Sequence, residues 1–335
     1  MRARHVLDVD DLGPSGLEEV LALAERDDLA EVLAGAGVAL VFEKPSARTR
    51  SAAEMAVVGL GGHPVYIQGT EVGIDEREPA EDVARTLACY HRVLCARVRD
   101  HGTLRRMAVA LDAARTGVPV VNLLSDRAHP GQAVADILTL RRSLGRSDLS
   151  GSVLAYVGDA NNVLRSLATA AVMVGMELRV ASPAGYGIGE EDLRRLQELA
   201  AAAGRGGSVS TTDDPHRAVS GADAVYTDVW TSMGQEDQAD RRRQAFAGFA
   251  VDEELLARAR PGAVVMHCLP AHRGEEIAAA VVDGPQSVVW SQAAARMPAM
   301  RGLLAWAVTG DATVGAARGA EPGGAARGAG AGPCG

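Results

Sequence analysis

No apolar stretch in this 335-residue sequence approaches the roughly 18 residues that a membrane-spanning helix needs. The opening MRARHVLDVDDLG meets Asp8, Asp10 and Asp11 where an export signal would keep an unbroken apolar core, so no such signal is expected. Positive charge is in short supply too. The formal net charge is −9, which argues against nucleic acid or an anionic membrane as the main partner, since both require clustered cations. The four cysteines, Cys89, Cys95, Cys268 and Cys334, show no CxxC spacing and are too few to scaffold a chain of this length, so they are read as free thiols. Also missing is the G-x-G-x-x-G turn that lets a backbone approach pyrophosphate: YVGDANNVLRS keeps only Gly158 and puts Asn161 and Asn162 where glycines would stand. These absences leave a cytoplasmic protein that handles small molecules.

What is present is a 47% hydrophobic content, enough to fill two cores. Short apolar or β-branched runs alternate with amphipathic stretches, the pattern of an α/β fold with mostly parallel sheets flanked by helices. Strands are expected over 38–42, 65–68, 93–97, 118–122, 153–157, 177–181, 224–227, 263–267 and 287–290. The segment RRSLGRSDLSGS, residues 141–152, ends a helix and carries Gly and Ser ahead of a new strand. Two domains are therefore expected, 1–147 and 148–309, with a final helix over 293–308 returning to the first. The Gly/Ala/Pro-rich stretch 310–335 has no large apolar residue after Val314 and is expected to be disordered.

Within this acidic chain FEKPSARTRSAAEMA is a basic island, with Lys44, Arg48 and Arg50 beside Ser46, Thr49 and Ser51 at an expected strand-to-helix turn. Such turns present free backbone N–H groups and suit small anions, and arginine forks match phosphate oxygens. A capped helix with solvated arginines would read the same way, so the motif needs company. CARVRDHG supplies it with Arg97 at a strand end, and LLSDRAHPGQAVAD places His129 and Gln132 after the next strand.

In the second half, TDVWTSMGQE and MHCLPAHRGEE follow two further expected strands. Asp228 is a candidate helix cap, and Cys268 beside His267 is open to reading as half a metal site or as a nucleophile. A metal requires three or four ligands and no spaced partners are evident, so neither metal nor cofactor is expected. On spacing alone the function stays open.

These motifs resemble the aspartate/ornithine carbamoyltransferase family over about residues 5–308, and the ornithine branch in particular. FEKPSARTR resembles its carbamoyl-phosphate loop and HPGQAVAD its HPxQ element, while GDANNV, DVWTSMGQE and HCLPAHRGEE resemble its amino-acid side. The resemblance implies that Ser46, Arg48, Thr49 and Arg50 hold the phosphate, that Arg97, His129 and Gln132 bind the carbamoyl and bridging region, and that Arg296 reaches the phosphate from the final helix. It further implies that Asn162, Asp228, Ser232 and Met233 hold the α-amino and α-carboxylate groups of L-ornithine, with Cys268 and Leu269 beside the reacting amine. Arg97, His129, Asp228 and Cys268 would carry the chemistry, the proton of the amine going to Cys268 with Asp228 or to the departing phosphate. A homotrimer or an assembly of trimers is implied.

The sequence also departs from the family pattern. Ala47 stands for a threonine, Gly131 for a cysteine, Ala52 and Ala53 for bulkier residues, and Arg296 sits in SQAAARMP. The loop GTEVGIDERE, which in the family reaches a neighbouring subunit, is unusually acidic. These changes motivate two rival readings, a carbamoyltransferase for another amine and a silent paralogue that binds without turnover.

Overall fold

A computed structural model describes residues 3–231 and 236–309. Strands buried on both faces read as unbroken apolar runs, and here they build two parallel sheets. The first contains β1 (Gly37–Phe42), β2 (His63–Gln68), β3 (Val93–Arg97) and β4 (Val120–Leu124) in the order β2-β1-β3-β4. The second contains β5 (Val153–Val157), β6 (Glu177–Ala181), β7 (Ser208–Thr212), β8 (Ala224–Thr227) and β9 (Val264–His267) in the order β7-β6-β5-β8-β9. The candidate site residues follow the carboxyl ends of these strands, where ligands bind in open α/β sheets.

Two expectations about strands need correction. The segment SVSTT forms β7 although it was not expected, because it is a half-exposed edge strand and has no apolar run to announce it. Residues 287–290 do not form a strand. Ser287 makes one isolated bridge to Val265, and the apolar run that follows starts the helix Val289–Thr309. The segment 141–152 does end a helix: Arg141 and Arg142 lie in the last turn of the helix Pro130–Leu144, which stops where Gly145 turns left-handed at φ 63°. The expectation of a disordered 310–335 lies outside the described residues.

The C-terminal helix Val289–Thr309 packs on the helices Gly13–Ala24, Ala47–Gly59 and Pro130–Leu144, which belong to the first sheet's half of the chain. Leu303 and Leu304 are fully buried in this seam, each contributing about 2 kcal/mol. Close approach is possible because residue 302 is glycine: a Cβ there would lie 2.5 Å from the Val20 carbonyl oxygen and 2.9 Å from the Ala24 nitrogen. Gly131 serves a similar purpose, since a Cβ at that position would meet Met300 Cε at 2.9 Å. The small residue at 131 and the long one at 300 fill the same space.

Candidate active site

A cleft of about 1030 Å³ opens between the two sheets' carboxyl ends. On its first side, Ser46 follows β1 and caps the helix Ala47–Gly59, its Oγ accepting the Thr49 N–H at 3.3 Å. Thr49 is buried, and its hydroxyl oxygen accepts from Arg97 Nη1 at 3.2 Å and Arg296 Nη2 at 3.0 Å. Arg97 comes from the end of β3, Arg296 from the C-terminal helix, and His129 from the position just before the helix Pro130–Leu144. Arg296 Nη2 lies 3.4 Å from His129 Nε2. Three distant segments thus converge on one threonine and one imidazole.

This convergence is electrostatically costly without an anion. Arg48, Arg97 and Arg296 line the cleft, and none of them forms a salt bridge among the described residues. Burial, then Arg296 and Arg48, push Arg97 down to about 10. Burial holds the His129 imidazole well below its ordinary range, with Arg296 and Arg97 adding to the effect, so it is neutral at pH 7. Arg97 Nε and His129 Nδ1 are buried without a hydrogen-bond partner. A buried donor set of this kind calls for a negatively charged ligand.

The opposite side is built from the second sheet. Asp228 follows β8, and its Oδ2 accepts from Asn161 Nδ2 at 2.7 Å while its Oδ1 accepts from Cys268 Sγ at 2.9 Å. Asn161 also caps the helix Asn162–Met173, so one side chain fixes both a helix start and a carboxylate. Burial, with the neighbouring Asp228 carboxylate adding to it, pushes the Cys268 thiol well up. The cysteine is therefore a neutral donor to Asp228, which removes the thiolate-nucleophile reading left open by the sequence. Leu269 is held at φ 61° with its N–H donated to His267 Nδ1 at 2.9 Å. A leucine in the left-handed region is uncommon and marks a positioned backbone.

The two sides are joined below the cleft floor. Asp136 is fully buried on the helix Pro130–Leu144, where its Oδ1 accepts from Gln132 Nε2 at 2.8 Å and Gln292 Nε2 at 2.7 Å. Its Oδ2 accepts from the Tyr226 hydroxyl at 3.2 Å. Burial raises Asp136 to about 7, and the three donors oppose that rise.

Residues 4–142 match the family described as aspartate/ornithine carbamoyltransferase, carbamoyl-P binding domain, and residues 150–307 match its Asp/Orn binding domain. The chain belongs to the aspartate/ornithine carbamoyltransferase family. It is 46% identical over 308 residues to an ornithine carbamoyltransferase of Acidothermus cellulolyticus, covering 90% of this chain and 96% of that one. Among solved structures, ornithine carbamoyltransferase from Pyrococcus furiosus superposes with a TM-score of 0.84 at 39% identity over 91% of this chain and 96% of that one. The Thermus thermophilus enzyme gives 0.79 at 43% identity, covering 91% of this chain and 99% of that one.

Within this family frame most residues expected at the site line the cleft: Ser46, Arg48, Thr49, Arg97, His129, Gln132, Asn162, Asp228, Cys268, Leu269 and Arg296. Arg50 does not. Its guanidinium turns outward, pairing with Glu54 at 2.8 Å and lying over the Tyr66 ring at 3.7 Å. It directly follows Thr49, and one helical step turns it about 100° around the axis, which carries it off the cleft face. Ser232 and Met233 lie outside the described residues. Asn162 lines the cleft but spends its Nδ2 on the Ser125 carbonyl at 2.7 Å. Ala47 does not line the main cleft but lines the adjoining groove that shares Arg48, Gln132, Cys268 and Arg296 with it. Sequence reasoning missed Asp136, Tyr226 and Gln292, whose roles depend on packing between distant segments. It also missed the Arg242–Asp159 pair, 3.0 Å apart at the cleft wall. Asp159 stood in a recognised motif, but nothing in the sequence links it to position 242.

As for metals, Asp228, His267 and Cys268 lie close enough together to share one. Their chemistry does not fit. His267 Nδ1 accepts from Leu269 N–H and its Nε2 is 3.0 Å from Glu276 Oε1, so neither ring nitrogen is available.

Proposed function

We propose that this protein transfers the carbamoyl group of carbamoyl phosphate to the side-chain amine of L-ornithine, giving L-citrulline and phosphate. The observation that carries the reading is the meeting of Arg48, Arg97 and Arg296 around Thr49 and neutral His129, with the Asp228–Cys268 side opposite. The phosphate is held by Ser46, Arg48, Thr49 and Arg296 at the start of the helix Ala47–Gly59, where backbone N–H groups favour an anion. The carbamoyl oxygen faces Thr49, Arg97 and His129. As the amine attacks, the carbonyl oxygen gains negative charge, which these fixed donors stabilise. A new N–C bond forms, the C–O bond to phosphate breaks, and the electron pair leaves with phosphate.

The amine must shed its proton. Asp228 already accepts from Asn161, Cys268 and its own neighbour Val229, and the Cys268 thiol is held protonated. That favours the departing phosphate as the proton acceptor, with Asp228 and Asn162 orienting the amino acid.

We read the assembly as a homotrimer or a stack of trimers in the cytoplasm. In support, a groove of about 540 Å³ beside the cleft is lined by the exposed Met55 and Met297 and also by Arg48, Gln132 and Arg296, so a second copy seated there would adjoin the site. No helix among the described residues is long and apolar enough to cross a membrane. The experiment is an amine panel at one carbamoyl phosphate concentration with ornithine, lysine and putrescine. Preference for ornithine supports the reading, and preference for an amine lacking an α-carboxylate overturns the substrate assignment.

A further inference from the structure

The segment that follows Cys268 carries a second group of ligand-type side chains that the proposed reaction does not use. His272, Glu275 and Glu276 bring one nitrogen and two carboxylate oxygens within 4.8 Å of one another. Glu276 is fully buried. Its Oε1 is engaged twice, by His267 Nε2 at 3.0 Å and by the His272 N–H at 2.6 Å. Its Oε2 is buried with no hydrogen-bond partner and lies 3.9 Å from His272 Nδ1. A carboxylate whose outer oxygen is fixed by two donors while the inner one is left unmatched is oriented as a ligand is oriented by groups behind it.

We propose that His272, Glu275 and Glu276 form a binding site for a borderline divalent cation, Zn²⁺ foremost, at the rim of the cleft. An imidazole with two carboxylates suits Zn²⁺, Co²⁺ or Ni²⁺ better than the all-oxygen cations. Tetrahedral zinc at about 2.0–2.2 Å from its ligands sets them about 3.4 Å apart. His272 Nδ1 is 4.0 Å from Glu275 Oε2 and 3.9 Å from Glu276 Oε2, so the nitrogen comes within ligand spacing of each carboxylate by a shift below an ångström, and the partly exposed His272 and Glu275 side chains are the ones that move. Arg243 competes for the other Glu275 oxygen at 3.3 Å, which places the affinity in the micromolar range rather than tighter. His272 and Glu275 both line the cleft, so an occupied site adds positive charge near the entry of a cationic amine. This last consequence rests on the function proposed above.

The test is calorimetry of the full chain with ZnCl₂ and, separately, visible spectroscopy with Co²⁺. The expected result is one ion per chain with a micromolar Kd, weakened at least tenfold by His272→Ala and by Glu275→Gln, and retained by Cys268→Ser. The Co²⁺ spectrum should show ligand-field bands without a thiolate charge-transfer band. Binding that survives His272→Ala, that is lost in Cys268→Ser, or that is absent at 100-fold micromolar concentrations overturns the site. Both His272 and Glu275 are partly exposed, so their variants are expected to fold. Because the readout is metal binding itself, failure of the proposed reaction leaves the result interpretable.

Discussion

Gln292 donates through Nε2 to Asp136 Oδ1 at 2.7 Å, tying the C-terminal helix to the helix that begins just after His129. The Gln292 Oε1 accepts the His267 N–H at 2.9 Å, one residue before Cys268. A single amide thus spans the two sides of the cleft, and Asp136 also steadies Gln132. The consequence is a cleft whose arginine-lined side and Asp228 side share one buried carboxylate.

That carboxylate gives a pH prediction. Asp136 has a folded value of about 7, above the ordinary aspartate value of about 4, so the folded state binds more protons than the unfolded state between those limits. Stability from this group is therefore greatest below pH 4 and is lost as pH rises through 7, by an amount on the order of 4 kcal/mol. In Asp136→Asn this loss should vanish. Denaturant titrations of both proteins at pH 5 and pH 8 measure it, and equal changes in the two proteins would contradict the assignment.

His129 supplies a second prediction. Removing it as His129→Ala should lower kcat by about 10²–10³, as loss of an oxyanion donor does, with a smaller effect on the KM for ornithine. Steady-state kinetics with each substrate varied in turn checks the split.

Cys268 should resist alkylation. Its half-buried thiol donates to Asp228 and is pushed well above its ordinary range, whereas Cys89 is exposed and has no such carboxylate partner among the described residues. Iodoacetamide at pH 8 followed by peptide mass spectrometry should label Cys89 and spare Cys268. Rapid labelling of Cys268 would refute the neutral-donor role.

The glycines at the helix seam should differ in cost. Gly302→Ala drives a methyl group into backbone at 2.5 Å and should cost more than about 2 kcal/mol, since backbone cannot move aside cheaply. Gly131→Ala meets the mobile end of Met300 and should cost under about 1 kcal/mol, with Met300→Ala relieving the crowding. Equilibrium unfolding midpoints distinguish the pair.

Much of the fold was legible because buried parallel strands are apolar along their whole length, as GVALVF and VLAYV are. The polar edge strand β7 gave no such signal, and VVW read as strand because a short apolar run is ambiguous between strand and helix. The convergence of Ser46, Arg48, Thr49, Arg97 and His129 on one cleft was legible because these residues sit in compact motifs at strand ends. Arg50 was assigned with its neighbours by proximity in sequence, yet helical rotation turns it outward. Asp136, Tyr226 and Gln292 escaped notice because their relationship exists only once three remote segments pack together.

The most direct test of the central claim is citrulline formation from carbamoyl phosphate and L-ornithine by the purified chain, measured beside an Arg48→Ala/His129→Ala variant. The account predicts turnover by the native protein and a loss of at least 10³-fold in the variant. Equal rates in the two proteins, or no citrulline from the native one at saturating substrates, would contradict it.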